Sequence, residues 1–325
     1  MRTRSLAFSL HASCVVAVAA VAALLAGGAA SAQEYPSRPI RIYTAPAGGS
    51  SDFAARILAQ GMGESLRQPI VVDNRAGPIA QEAVFRAPAD GYHVLLSSES
   101  VWIRGLMEKV PYEIVRDFAP IGQIARAPYV VAVHPSLPVK SVKDLIGLAK
   151  AHPGALNYGT AAIGSGTHLA GALFVSLAGV NIVQVGYKGV PQSLSALMAG
   201  EVQLMFANPS MVAPHVKTGK LRALGVTTRE PTVLAPGLPP VAAAVPGYEA
   251  VSLQGLHAPG KTPSAIVGRL HQEMMRVLEL PGVKEKFLSG GWQTAPSSPE
   301  QFAAFIRDDI ARWSKVIKAA GIKAQ

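Results

Sequence analysis

Residues 40–58 read IRIYTAPAGGSSDFAARIL, and this stretch predicts the fold class of the whole chain. The apolar residues of 40–43 indicate a β-strand, and the residues from Asp52 onward repeat apolar side chains at helical spacing. The intervening loop, 45–51, contains two glycines, an alanine pair and a proline. A strand, a tight loop and a helix in this order form the first half of a βαβ unit, which predicts an α/β protein.

The same alternation of short strands and helices continues along the chain. Strands at 70–72 and 92–97 enclose a helix near 79–87, and a second series begins at residue 129. Two series of βα units predict two similar lobes, each a mainly parallel sheet flanked by helices. The second series comprises strands at 129–133, 156–159, 182–185, 204–206 and 221–226, with helices at 142–151, 164–177 and 194–199; three further helices are expected at 263–280, 283–289 and 299–320.

The N-terminal segment has the pattern of an export signal. Arg2 and Arg4 precede a long uncharged, alanine-rich run that ends in Ala30-Ser31-Ala32. This pattern predicts a signal peptide over residues 1–32, cleaved after Ala32, and therefore a periplasmic protein. The run is also long enough for an uncleaved membrane anchor, but its small residues and the A-S-A site favour cleavage.

Composition excludes several classes of protein. The chain of 325 residues is 49% hydrophobic and 15% charged, which excludes global disorder. Its single cysteine, Cys14, excludes a disulfide framework and a cysteine-based metal site. The net charge of +10 invites a nucleic-acid interpretation, but the aromatic share of 6% is too small for base stacking. We therefore expect no nucleic-acid partner for an exported chain without clustered charge.

The loop after the first strand is a candidate anion site. Its glycines let backbone N–H groups approach a ligand closely, and the following helix N-terminus adds partial positive charge. The alternative is a tight turn in which Ser51 or Asp52 caps the helix. Asp52 is expected to order the loop rather than touch an anion, because two negative groups repel. The candidate ligand residues here are Ala47, Gly48, Gly49, Ser51 and Asp52.

A second loop of the same kind spans residues 157–168. Its glycines match the G-x-x-x-x-G part of a phosphate loop, but Ser165-Gly166 stands where a nucleotide-binding loop has Lys-Ser or Lys-Thr. Nucleotide hydrolysis is therefore not expected, and neutral donors suit a carboxylate that is released intact. His168 is interpreted as a core or capping histidine. The candidate ligand residues here are Thr160, Gly164, Ser165 and Thr167.

Motifs for catalysis and for metal binding are absent from the sequence. There is no G-x-S-x-G elbow and no H-E-x-x-H, and the histidines lack metal-ligand spacing. The prediction is accordingly no catalytic residue, no metal and no cofactor. A hydrolase stays open as an alternative, with Ser165 as nucleophile and His168 nearby, since residues three apart share a helix face.

Several short motifs, in a fixed order along the chain, resemble one family. The chain is similar to the periplasmic solute receptors of tripartite tricarboxylate transporters, often called Bug-type receptors. Any one motif is weak, but their order over nearly the whole chain is specific. They are 35–40 (YPSRPI), 46–52 (PAGGSSD), 89–92 (ADGY), 116–121 (RDFAPI), 157–169 (NYGTAAIGSGTHL), 187–189 (YKG), 219–224 (GKLRAL) and 258–263 (APGKTP).

The resemblance implies a two-lobed clamshell with the solute between the lobes. The first lobe would comprise residues 33–128 and 252–325, and the second residues 129–251. The two glycine loops would then face each other, which agrees with ligand binding beyond the carboxyl ends of strands in α/β sheets. Ser98 and Asn208 complete the expected set of ligand residues.

Three positions depart from the family pattern. Residues 76–80 form a shorter turn with one glycine, and Leu253-Gln254 stands where an aromatic pair is usual. Glu99 places a carboxylate near the expected cleft, where it would disfavour a second ligand carboxylate unless a cation or amine pairs with it.

The function that we predict is a non-enzymatic receptor that captures a small carboxylate and closes by a hinge motion. We expect a monomer whose partner is the membrane subunits of a transporter. A ligand sensor that feeds a signalling protein is the main alternative, and the sequence does not separate it from transport.

Overall fold

The computed structural model describes residues 35–161 and 163–320. The predicted signal peptide, residues 1–32, lies outside the described residues. Among the described residues, those from Arg38 onward belong to one compact unit, which contains every element named below.

The chain builds most of one sheet, then a second sheet, and finally returns to the first. The first pass comprises β1 (Ile40–Thr44), α1 (Ser50–Leu66), β2 (Ile70–Asn74), α2 (Gly77–Phe85), β3 (His93–Ser97), α3 (Ser100–Ile103), α4 (Ile114–Asp117) and β4 (Phe118–Pro128). The second sheet and its helices comprise β5 (Val130–Val133), α5 (Val142–Ala151), β6 (Asn157–Thr160), α6 (Gly166–Ala178), β7 (Val183–Gly186), α7 (Val190–Ala199), β8 (Leu204–Ala207), α8 (Pro209–Lys217) and β9 (Arg222–Val226). The return comprises β10 (Val251–Pro259), α9 (Ser264–Glu279), α10 (Pro281–Ser289), β11 (Gln293–Thr294) and α11 (Pro299–Ala320).

The strand order shows how each lobe is built. The first sheet has the order β11-β4-β10-β3-β1-β2, and the second has the order β7-β6-β8-β5-β9. In each sheet one inner strand, β1 or β6, pairs in parallel with both of its neighbours. The loop that follows this strand therefore lies at the carboxyl end of the parallel strands. The strands β1 and β6 are the two that precede the glycine loops. The predicted two-sheet α/β architecture is confirmed.

Both sheets are mixed, so the prediction that they are mainly parallel needs correction. Strands β4, β10 and β11 run antiparallel to their neighbours in the first sheet, and β5 runs antiparallel to β8 and β9 in the second. The reason is that the chain leaves the first sheet along β4 and comes back along β10. The sequence prediction had identified neither of these long strands, nor α8.

The two crossings between the sheets lie side by side. Val251 at the start of β10 pairs with Pro128 at the end of β4, and β5 begins two residues later. The strands of the first sheet lie within 33–128 and 252–325, apart from Val251, and those of the second lie within 129–251. The bounds of the lobes as separately moving bodies stay a prediction.

A buried aromatic cluster stabilises the second sheet. The rings of Phe174, Phe206 and Tyr248 lie with centroids 5.7–6.5 Å apart. Tyr248 is 0% exposed, and its hydroxyl donates to the carbonyl of Ala170 in α6 at 3.0 Å. Tyr248 therefore holds α6, the helix after the second glycine loop, against the sheet.

The helix α11 packs against the first sheet through a similar group. Phe302 lies edge-on to Trp102, with ring centroids 6.1 Å apart. The indole N–H of Trp102 donates to the Asp309 carboxylate at 2.9 Å. None of the described helices combines the length and the apolar content that a membrane crossing needs.

We predict that two substitutions at Tyr248 destabilise the protein to different extents. Tyr248→Phe removes one buried hydrogen bond and should lower the free energy of unfolding by about 1 kcal/mol. Tyr248→Ala leaves a cavity as well and should lower it by about 4 kcal/mol. Urea unfolding followed by circular dichroism measures both values.

Val233→Ala is the matched control, since Val233 is 80% exposed and its loss should change the free energy of unfolding by less than about 0.5 kcal/mol. Equal stability of Tyr248→Ala and the wild-type protein would contradict the packing role of Tyr248.

Candidate functional site

The loop between β1 and α1 is ordered by Asp52. Its carboxylate accepts hydrogen bonds from the Gly48 amide at 3.0 Å, from Arg56 at 3.1 Å and from Asn74 at 2.9 Å. Burial acts to raise the pKa of Asp52, but these hydrogen bonds outweigh it and lower the pKa. Gly48 has φ +83°, a conformation that favours glycine. Asp52 therefore orders the loop, as expected. The Gly48 amide, which was expected to donate to a ligand, donates to Asp52 instead.

The helix α1 begins without a side-chain cap. It starts at Ser50, two residues before the predicted Asp52, and its N-cap is Gly49, so neither Ser51 nor Asp52 caps it. The N–H groups of residues 50–52 have no acceptor within the helix, because the first turn of any α-helix lacks one. The first turn of α1 can therefore donate to an anion.

Ser51 connects this loop to the strand β10. Its hydroxyl donates to the side-chain carbonyl of Gln254 at 2.9 Å, and both side chains are buried. The two residues are separated by 203 positions in the chain. The sequence analysis named Gln254 only as a departure from the family pattern and did not foresee its contact with Ser51.

The loop between β6 and α6 has a different internal arrangement. Ser165 is the N-cap of α6, and its hydroxyl accepts from the His168 amide at 3.4 Å. The Thr167 hydroxyl oxygen accepts from the Ala161 amide at 3.1 Å and lies 3.1 Å from the Ser165 hydroxyl. Gly164, with φ +79°, provides the turn before the helix. Ser165 and Thr167 therefore form a hydroxyl pair at the N-terminus of α6.

His168 is a structural residue of this loop, which confirms its interpretation as a core or capping histidine. Burial lowers its pKa, so that the ring is neutral at pH 7. Its Nδ1 accepts from the Gly164 amide at 3.1 Å, whereas the Ser165 hydroxyl is bonded to the His168 backbone. The Ser165–His168 ring contact that a hydrolase would require is not formed.

Thr160 does not present its hydroxyl to the loop surface. The side chain is 0% exposed; its hydroxyl donates to the Ala161 carbonyl at 2.8 Å and accepts from Gln184 at 2.6 Å. The expectation of an open hydroxyl is thus wrong here, because two neighbours inside the lobe already occupy it. A role of Thr160 through the shape of the loop stays a prediction.

Asn208 joins elements that belong to different sheets. Its carbonyl oxygen caps α8 by accepting from the Ser210 amide at 3.0 Å, and its amide group donates to the Gly291 carbonyl at 3.3 Å. The Ser210 hydroxyl donates to the Gly290 carbonyl at 2.8 Å. Asn208 was expected to be a wall residue, and the structure uses both ends of its side chain for contacts within the protein.

Glu99 lies buried between the two sheets. Its carboxylate accepts from the Leu253 amide at 3.1 Å and from the Tyr129 hydroxyl at 3.4 Å. A methyl group at Gly166, the first residue of α6, would overlap both Glu99 and Tyr129. Burial raises the pKa of Glu99 to about 7 in spite of its hydrogen-bond donors. Near neutral pH this carboxyl group is therefore only partly charged.

These contacts bring both glycine loops close to consecutive residues of β10. Ser51 of the first loop is bonded to Gln254, and Glu99, which touches Gly166 at the end of the second loop, is bonded to Leu253. The half-buried Ser98 precedes Glu99, and its hydroxyl donates to Ser100 at 3.0 Å. The start of α1 and the start of α6 therefore lie near the same part of β10.

Among the residues that the structure describes, no group of three potential ligands could hold a metal ion.

A cavity of about 410 Å³ lies beside Glu99, and its walls include Tyr129, Gly166 and Leu253 together with Trp313 of α11.

Comparison with known proteins identifies the family. The model of the tripartite tricarboxylate transporter family receptor matches residues 54–322. The chain belongs to this receptor family. It is similar to the protein BugT of Bordetella pertussis, with 35% identity over 301 residues that cover 90% of this chain and 92% of BugT.

Solved structures of the receptor family have the same fold. The Rpa4515 protein of R. palustris, solved with adipate, superposes with a TM-score of 0.83 at 35% identity and covers 89% of this chain and 99% of its own. MatC (Rpa3494) of Rhodopseudomonas palustris, solved with bound malate, superposes with a TM-score of 0.80 at 25% identity and covers 87% of this chain and 100% of its own. The family consists of solute-binding receptors that act outside the cytoplasm.

Glu99 should make the stability of this receptor depend on pH. Its pKa of about 7 in the folded state exceeds the ordinary value of 4.5, so the folded state holds a proton that the unfolded state releases. The free energy of unfolding therefore falls as pH rises from about 4.5 through 7, by about 3 kcal/mol in total. Glu99→Gln removes this contribution, and its stability relative to the wild-type protein should rise between pH 5 and pH 8.

Urea unfolding at both pH values measures this difference. The control is Glu285→Gln, because Glu285 on α10 is exposed and should give the same difference from wild type at both pH values. A Glu99→Gln difference that is also independent of pH would show that the buried carboxyl group does not titrate in this range.

Proposed function

We propose that this receptor captures a small carboxylate in the periplasm and passes it unchanged to the membrane subunits of a transporter. The observation that carries the proposal is that the starts of α1 and α6 lie near consecutive residues of β10: Ser51 is bonded to Gln254, and Glu99, bonded to Leu253, lies against Gly166. Two sets of N–H and O–H donors then serve one anionic group, one set from each lobe.

The donors at this site are neutral, which suits reversible binding. Arg56, which follows the first loop in α1, is paired with Asp52, 3.0 Å from its carboxylate. Helix N-termini and hydroxyl groups still favour an anion, because each N-terminus has the equivalent of about half a positive charge. Charge-assisted hydrogen bonds are worth about 1.5–3 kcal/mol each, so a few of them support micromolar affinity after desolvation.

Short aliphatic dicarboxylates are the ligand class to which the relatives point. Rpa4515 was solved with adipate and MatC with malate, and both acids have two carboxylate groups. Glu99 would repel a second carboxylate only in its charged form, and its raised pKa reduces that repulsion near neutral pH. The residues that we propose to contact the ligand are Ala47, Gly49, Ser51 and Ser98 on one side and Ser165 and Thr167 on the other. We propose that the remaining expected residues shape the site through the contacts described above: Gly48, Asp52, Thr160, Gly164 and Asn208.

Closure would occur about the adjacent crossings of β4 and β10. A ligand stabilises the closed form only through contacts that the open form lacks. The bonds of Asn208 and Ser210 to the carbonyls of Gly291 and Gly290 link elements of the two sheets, so they support a closed arrangement of the lobes. The closed form would present both lobes to the partner, as a monomer released by cleavage of the signal peptide after Ala32.

A ligand sensor remains the second candidate, because the same clamshell could signal to another protein. A deletion strain separates the two functions: loss of uptake supports transport, whereas loss of gene induction with normal uptake supports sensing. The hydrolase alternative has no support in the geometry, since His168 Nδ1 is occupied by the Gly164 amide.

We predict that the double variant Ser165→Ala and Thr167→Val weakens dicarboxylate binding at least tenfold. The substitutions remove the hydroxyl pair at the start of α6, and tenfold corresponds to about 1.4 kcal/mol. Isothermal titration calorimetry with adipate and with malate measures the change, and circular dichroism verifies that the variant is folded.

The control is Ser195→Ala, which removes an exposed hydroxyl of α7 that donates to the Pro191 carbonyl at 3.1 Å. Its affinity should equal that of the wild-type protein. If the double variant also bound with wild-type affinity, the site assignment in the second lobe would be wrong.

A further inference from the structure

The side chain of Gln254 forms a hydrogen bond through its carbonyl oxygen but not through its amide nitrogen. The side chain is 1% exposed, and its carbonyl oxygen accepts from the Ser51 hydroxyl at 2.9 Å. Its amide nitrogen is buried and has no partner within the described part of the chain. A buried donor without an acceptor is unfavourable, so such a group is normally satisfied by something that binds there.

The position of Gln254 places this donor at the ligand end of the first sheet. The next residue, Gly255, pairs with Ser97, the last residue of β3, so Gln254 lies level with Ser98, just beyond that strand. Its partner Ser51 is in the first turn of α1. The carboxyl ends of parallel strands are where α/β sheets bind ligands.

Neighbouring strands end in the same kind of unsatisfied group. Thr44 is the last residue of β1, is 0% exposed, and its hydroxyl has no partner among the described residues. Ser97 ends β3 and its buried hydroxyl is unpaired in the same part of the chain. The strands β1, β3 and β10 are adjacent in the sheet. Unpaired polar atoms therefore concentrate at this edge.

The unpaired donors at this edge indicate that the missing partner is a hydrogen-bond acceptor. The free group of Gln254 is an N–H donor, and the first-turn amides of α1 beside it are also donors. The nearby carboxylate of Asp52 is already occupied by Gly48, Arg56 and Asn74. A carboxylate oxygen of a ligand is the acceptor that would complete the set.

We propose that the Gln254 side-chain amide donates directly to the ligand carboxylate and helps to determine specificity for it. This inference rests on the proposed function and adds a residue from β10 to the site.

The test compares the affinities of wild type, Gln254→Leu and Gln254→Glu for adipate and malate by calorimetry at pH 8. Leucine removes the donor and should weaken binding about tenfold. Glutamate replaces the donor by an anion and should weaken binding more than a hundredfold, because like charges repel. Ser193→Ala is the control, since Ser193 has a buried and unpaired hydroxyl in α7 of the other lobe and should keep wild-type affinity.

A measurement on the wild-type protein does not depend on how the variants fold. The side-chain amide signals of Gln254 in an ¹⁵N–¹H spectrum, assigned by their absence in Gln254→Leu or by sequential assignment, should move on addition of the acid. If the wild-type protein bound the acid without movement of these signals, the role of Gln254 would be overturned. The same conclusion would follow if the affinities of Gln254→Leu and Gln254→Glu were both within twofold of the wild-type affinity. No binding of any acid in a panel of mono- and dicarboxylates would instead refute the proposed function, and this inference with it.

Discussion

The hydrogen bond from the Leu253 amide to the buried Glu99 carboxylate is the contact on which the arrangement of the site depends. It ties α3 of the first lobe to β10, one of the two strands that connect the lobes. The same carboxylate touches Tyr129 and Gly166, which belong to the other crossing and to the start of α6. Gly166 has to be a glycine because a side chain would displace Glu99. Glu99 therefore connects β10 with the residues that adjoin the second glycine loop.

The second constraint is that the two glycine loops, 45–51 and 161–165, contain no lysine or arginine, so the proposed site would hold an anion with neutral donors. Asp52 uses Arg56, Asn74 and the Gly48 amide to order the first loop, and the neutral His168 orders the second loop through the Gly164 amide. What remains for a ligand is a set of N–H and O–H donors at two helix N-termini. Such donors recognise a carboxylate by direction as much as by charge, and they release it when the lobes separate.

Sequence reasoning identified the local features of this site and missed the distant ones. The strand–loop–helix units could be predicted because glycines, hydroxyl residues and apolar periodicity lie within about 20 residues of one another. The antiparallel pair β4 and β10 was missed because its register depends on residues more than a hundred positions apart. The Ser51–Gln254 and Asn208–Gly291 bonds were missed for a similar reason, because they join residues that are 203 and 83 positions apart. Thr160 was misjudged because its partner, Gln184, lies on the neighbouring strand β7.

The most direct test of the central claim is an ¹⁵N–¹H titration of the labelled protein with adipate and with malate, observed at the backbone amides of both glycine loops. The account predicts that the amides of Ser50 and Ser51 at the start of α1, and those of Ser165 and Gly166 at the start of α6, shift together and saturate at one ligand per chain. Saturable binding that shifts the amides of only one loop, or of neither, would contradict a carboxylate held between the two lobes.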